Sequence, residues 1–243
     1  VPMAGDDTTP EGEQVNIYGN HVGSWNFAAT AYLNRWKVKI YYEHYFDDHS
    51  QMFFQYGRWK DGHIGLEITF PKNRFIDTFV YEGLGTKDQT GPMLYDSFWG
   101  EFEEQISAKD NYYNHYLYQG WQHWGMGIGN PLLPGPIYNK NGQITFISNR
   151  VLAHHIGFCG SPCQSLSYRM LLSYSRHWGT YDNPLNEIKK QFNSLFEVTY
   201  APQQLKGWSF TVSGAMDRGN LLGNNYGGML VIRKQGIIKS GNK

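Results

Sequence analysis

The sequence predicts an all-β chain: an antiparallel transmembrane β-barrel present in part, as about nine or ten strands of a larger barrel. Three observations predict it. Short segments alternate apolar and polar residues; the connectors between them are in turn very short and long; and aromatic residues and glycine are plentiful, with 18 Tyr, 8 Trp and 28 Gly in 243 residues. Side chains in a strand alternate with period two, so such segments present one apolar and one polar face. Alternating short and long links put all turns at one membrane face and all loops at the other. The aromatic content suits interfacial girdles, and it also suits sugar-binding surfaces.

The first strand is expected at 27–33 and the second at 36–46, where the pattern is clearest. Trp36, Val38, Ile40 and Tyr42 fall on one side, and Lys37, Lys39, Tyr41 and Glu43 on the other. A helix would scatter them. At 64–70, Ile64, Leu66, Ile68 and Phe70 oppose His63, Gly65, Glu67 and Thr69, and a fourth strand follows at 76–82. The fifth, 148–158, is ambiguous because His154 and His155 take opposite faces. At 166–174, Tyr168, Met170, Leu172 and Tyr174 oppose Ser167, Arg169, Ser173 and Ser175. Strands at 196–200, 208–216 and 226–233 complete the set; in the second of these Trp208, Phe210, Val212 and Met216 oppose Ser209, Thr211, Ser213 and Asp217. The links 34–35, 71–74, 160–165 and 201–207 are brief, whereas 47–62, 83–142 and 176–191 are long.

With the C-terminus placed in the periplasm, counting back makes 27–33 a descending strand and residues 5–14 an extracellular loop. The chain then begins partway round the barrel, with two unpaired edges for a missing upstream half. A soluble β-sandwich or jelly roll is the competing architecture.

Other classes are bounded by composition. Lys+Arg and Asp+Glu balance at 21 each, which gives no electrostatic reason to expect nucleic acid. No stretch approaches the roughly 20 apolar residues of a membrane helix, and no charged-then-apolar leader is present, so a mature or trimmed chain is expected. A mean hydropathy of -0.54 is compatible with a barrel, whose strands meet lipid with alternate residues only. Without a linker, residues 1–243 read as a single barrel domain with a long extracellular or lumen loop region at about 83–142. Cys159 and Cys163 flank an expected turn at 160–162 and read equally as a disulfide or as two unpaired thiols; two thiols make a poor metal site. No metal and no cofactor are expected.

Chemistry concentrates in the long connector. Glu82, Lys87, Gln89, Asp110, Tyr112, Tyr113, His115, Trp121 and Trp124 are the candidate carbohydrate-binding residues, with Thr86, Asp88, Asn111, Asn114, Tyr118 and His123 among them. Flat aromatic faces stack on sugar rings, and carboxylates, amides and His hydrogen-bond hydroxyls. The alternative is a loop that packs into the barrel mouth with its polar groups satisfying one another. Catalytic readings are weaker. Asp47, Asp48, His49 and Ser50 contain triad residue types but point in alternating directions, and no nucleophile elbow, zinc-protease helix or phosphate loop is present. Glu67 and Glu82 are the carboxylates a glycosidase would need, yet they are expected to pair with Lys and Arg on the lumen face.

The stretches Tyr41-Tyr42-Glu43-His44-Tyr45-Phe46-Asp47-Asp48, Tyr81-Glu82-Gly83-Leu84-Gly85-Thr86-Lys87-Asp88-Gln89-Thr90-Gly91-Pro92, and the run from Asp110 through His115 to Gly120-Trp121 and Gly129-Asn130-Pro131-Leu132 resemble the capsule assembly protein Wzi family of Gram-negative outer membranes. The likeness covers nearly the whole chain and corresponds to the C-terminal half of such a protein. It implies a non-enzymatic protein of the cell outer membrane that anchors or organises capsular or other surface polysaccharide through lectin-like contacts. Its partners would be that glycan, outer-membrane lipid and the upstream half of the same barrel. No catalytic residue carries over. The alternatives are an outer-membrane barrel enzyme, a lipase or glycan hydrolase, and a small-solute pore whose lumen Lys37, Lys39, Glu43, Glu67 and Arg169 would line.

Overall fold

The computed structural model describes residues 22–47, 52, 61–73, 75–92, 109–115 and 121–236; residues 5–14, Asp48, His49, Ser50 and Tyr118 lie outside them. The chain is all-β. Eleven strands are present among the described residues: β1 (Gly23–Leu33), β2 (Trp36–Phe46), β3 (Gly62–Thr69), β4 (Thr78–Gly85), the two-residue β5 (Gln122–His123) and β6 (Met126–Gly127), β7 (Val151–Cys163), β8 (Leu166–Gly179), β9 (Pro184–Tyr200), β10 (Trp208–Gly219) and β11 (Asn225–Lys234). Nine of them form one sheet in the order β1-β2-β3-β4-β7-β8-β9-β10-β11, every neighbour antiparallel. β5 and β6 form a separate small hairpin. The sheet is not closed into a barrel, and β1 and β11 are its edges.

Register gives the sheet two unlike faces. Ala29, Ile40, Leu66, Tyr81, Ile156 and Leu172 lie side by side across β1 to β8, and on β9 to β11 the same face carries Phe196, Val212 and Leu230. This apolar face is open: Ile40 is 54% exposed, Val212 60% and Leu230 65%. Among the described residues seven hydrophobic side chains are buried and twenty-nine large ones are exposed, so most of the apolar surface points outward. Aromatics gather toward both ends of this face. Trp36 packs on Phe70 and Phe158 on Tyr168 near the short turns, while Trp25 meets Phe46 near the opposite, connector end.

The other face is polar and internally paired. Lys37 bridges to Glu67 at 3.2 Å and Arg169 to Glu197 at 3.3 Å, Asn193 donates to Asp217, and the Thr199 and Thr211 hydroxyls meet at 2.9 Å. The residues expected to line a lumen, Lys37, Lys39, Glu43, Glu67 and Arg169, share this face. The connector between β4 and β7 folds onto its connector end, where Tyr113, Leu133 and Phe146 bury against Leu84, Val151 and Ala153 in the hydrophobic core. Burial of each large side chain contributes roughly 1.5–3 kcal/mol.

The nine expected strands are the nine of the sheet, but two expected connectors differ. Residues 176–191 are not a long loop: β8 runs to Gly179, β9 starts at Pro184, and four residues join them. Arg176, Lys190 and Gln191 extend the strands past the apolar zone, so alternation, the signal used to find strands, is absent there although pairing continues. The turn expected at 160–165 is shorter. β7 continues to Cys163 with a register shift after Gly160, leaving Gln164 and Ser165 as the turn. Cys159 and Cys163 are both free and lie on one strand, about 13 Å apart if fully extended, beyond the roughly 7 Å a disulfide spans.

Candidate functional site

The polar face and the connector enclose a cavity of about 560 Å³, a volume typical of small-ligand sites. Its strand-built floor carries Glu43, His63, Glu82, His155 and Ser173, and the connector supplies Tyr112, Tyr113 and Leu132 as an aromatic and apolar wall. His63 lies between two carboxylates, its Nδ1 3.6 Å from Glu43 Oε2 and its Nε2 3.5 Å from Glu82 Oε1. Tyr41 donates to Glu82 and sets its ring edge-on to His63 at 5.6 Å, and Tyr45 donates to Glu43. Gly65 makes this possible. Tyr41, Gly65 and Glu82 are aligned across β2, β3 and β4, and a Cβ on Gly65 would stand 2.0 Å from the Tyr41 ring. Without that Cβ, the tyrosine reaches over β3 to the glutamate.

Beside them His155 and Ser173 are cross-strand neighbours, with Nδ1 2.6 Å from Oγ. Glu67 pairs with a lysine as expected. Glu82 does not: its partners are Tyr41 and His63, because the residues opposite it on β3 and β7 are Gly65 and His155 rather than a cation. No group of three or more His, Cys, Asp or Glu side chains suited to a metal ion occurs among the described residues.

Above the floor the connector is held by buried amides. The Asn149 side chain, fully buried, donates to Asn111 Oδ1 at 2.5 Å and to the Tyr112 carbonyl at 2.8 Å, and accepts from Gln89 Nε2 at 3.3 Å. Thr86 Oγ1 donates to the Asn149 carbonyl, and Asn114 exchanges two bonds with the Phe146 backbone. Asp61, just before β3, accepts the backbone N–H groups of Asp88 and Gln89. Burial pushes its carboxyl up to about 6, against the opposing pull of those two donors.

The nine candidate residues therefore separate. Gln89, Asp110, Tyr112 and Tyr113 are buried in the brace; the Asp110 N–H donates to Thr90, and the Tyr113 hydroxyl accepts the Asn130 N–H. Trp121 stacks on Tyr113 at 5.7 Å, and His115 is half-buried. Glu82 lies on the cavity floor. Lys87 is elsewhere, with its ammonium over the Trp178 ring at 5.3 Å. Trp124, 84% exposed, tips the β5–β6 hairpin. Gln89, Tyr113 and Trp124 all have positive φ, a conformation that surrounding bonds must sustain in residues with side chains.

Sequence reasoning missed His63, Tyr45, His155, Ser173 and Asn149 as site residues. The alternation signal places His63 on the polar face, but its position between Glu43 and Glu82 follows from register across three strands. No family model, curated protein or solved structure matches this chain.

Proposed function

We propose that this chain is an outer-membrane β-barrel protein, or a large piece of one, that holds capsular or other surface polysaccharide without turning it over, as its resemblance to the capsule assembly protein Wzi family implies. The observation that carries the membrane reading is the apolar face from Phe27 to Ile232. An exposed patch of this extent needs a lipid or protein cover, and its aromatic ends fit two bilayer interfaces. Among the described residues β1 and β11 are sheet edges, which suits an upstream half that completes the barrel.

The polysaccharide reading is supported by the cavity, where tyrosine faces stand beside carboxylate and imidazole groups that bond hydroxyls. Outside that cavity, Trp121 and Trp124 replaced together by alanine should weaken glycan retention in a surface pull-down and leave the sheet folded, each aromatic face offered to a sugar contributing on the order of 1 kcal/mol. Unchanged retention removes both from the site. A second reading, a hydrolase, draws on the 2.6 Å contact between His155 and Ser173 in the cavity. Incubation with capsular glycan and with phospholipid separates the two: shortened product that Ser173→Ala abolishes favours the enzyme. Large stable conductance in planar bilayers would favour the small-solute pore; the proposed scaffold, with its connector packed against the polar face, should be silent.

A further inference from the structure

Near its connector end the apolar face is crossed by a row of cations that the polysaccharide reading does not use. Arg176 and Lys190 are directly opposed on β8 and β9, and Arg218 stands on β10 opposite Phe192, one step along the same face. All three point outward by strand alternation, on the side of Tyr174, Phe192 and Met216 rather than that of Ser175, Gln191 and Asp217. Among the described residues none of the three has an ion-pair partner; Arg176 lies against the Trp178 ring at 5.4 Å, and Asp217, the acid next in sequence to Arg218, faces the other side and bonds Asn193. Adjacent unpaired cations repel one another, so the arrangement fits an anion shared between them.

Below this row the same face opens a groove of about 300 Å³, lined by Met170, Ser194, Phe196, Met216 and Tyr226 over Gly214. A Cβ built on Gly214 would meet nothing within 4 Å, so the groove has no floor contact to lose. Arg218 is two residues beyond Met216, and Lys190 four beyond Ser194, which sets the charges about 7 to 14 Å along the strands from the rim. Apolar groove and cation row are thus stacked in the order of a lipid's acyl chain and its phosphate.

We infer that the outward surface of β8, β9 and β10 is a binding site for a phosphorylated acyl lipid of the surrounding leaflet, with the chain in the groove and the phosphate on Arg176, Lys190 and Arg218. This rests on the membrane reading and adds a selective lipid to it. The full protein is to be reconstituted in phosphatidylcholine nanodiscs carrying trace lipid A, or lipid A stripped of both phosphates, and retained lipid counted by native mass spectrometry after detergent transfer. The wild type should retain the phosphorylated form by about tenfold over the stripped form, and the triple variant Arg176→Gln, Lys190→Gln, Arg218→Gln should lose that preference. Gly214→Leu, which fills the groove without backbone strain, should lower retention of both forms and leave the preference intact. A wild type that enters the discs and shows no preference, or a triple variant that keeps it, overturns this inference and leaves the membrane reading standing. A wild type that cannot enter discs overturns both.

Discussion

Gly65→Ala tests whether the cavity floor is built as the register implies. The added Cβ would lie 2.0 Å from Tyr41 Cζ and 2.4 Å from its hydroxyl, so the ring must leave. Leaving forfeits a hydrogen bond to an ionised acceptor, about 1.5–3 kcal/mol, and the edge contact with His63, about 0.5–1.5 kcal/mol. Alanine in place of glycine in a strand returns roughly 0.5–1 kcal/mol of backbone entropy. The net expectation is a loss of about 1–4 kcal/mol. Urea unfolding in lipid vesicles measures it, and the informative comparison is a cycle with Tyr41→Ala. Once the ring is gone, the same Gly65→Ala change should be neutral or mildly stabilising. Equal destabilisation in both backgrounds would refute the reasoning, since the cost would then arise from the β3 backbone rather than from the tyrosine crossing it.

Ile40→Lys, on the open apolar face, should destabilise the protein in bilayers by roughly 2–4 kcal/mol, while Lys39→Ile on the polar face leaves insertion intact; equal behaviour of the two in a vesicle folding assay would contradict the assignment of faces. Asn149→Ala removes three buried bonds, each contributing about 0.5–1.5 kcal/mol, and should raise hydrogen exchange across 109–115 without changing that of β8 and β9. For Asp61 the folded value of about 6 lies above the ordinary 3.8, so the folded chain keeps the proton longer; the group's contribution is greatest below pH 4, declines as pH rises to 6 and is constant beyond. Asp61→Asn should flatten urea midpoints across that window, and an unchanged slope would exclude Asp61 as its source.

Strand identity was legible wherever one face met apolar surroundings and the other did not, as in Trp36 to Tyr42 or Trp208 to Met216. It faded in β9 before Phe192, where Asn186, Glu187, Lys189, Lys190 and Gln191 put polar groups on both sides and only Leu185 and Ile188 interrupt them. The connector was legible as a chemically dense segment, but its division into brace and cavity wall was not. Tyr112 and Trp124 look alike as candidates in sequence; one is buried beside Asn149 and the other tips a hairpin, and only the fold of 109–150 distinguishes them. Glu82 was placed on the correct face with the wrong partners, because alternation gives direction and says nothing of which residue stands opposite.

The strand order carries a kinetic consequence. Every ladder joins strands adjacent in the chain except β4 with β7, whose sheet pairing from Thr78↔Cys159 to Gly85↔Leu152 must wait for the whole connector to be spanned. Two local ladders, β1 to β4 and β7 to β11, can therefore zip independently, each by short-range closure, and meet at this seam. Doubling a loop's length adds only about 0.6 kcal/mol to closing it, so the seam is limited by search time more than by stability. The exposed turn at Asn141 and Gly142 is the natural place to cut: two fragments divided there should reassemble along the β4–β7 seam, at a rate that depends on concentration where the intact chain's does not.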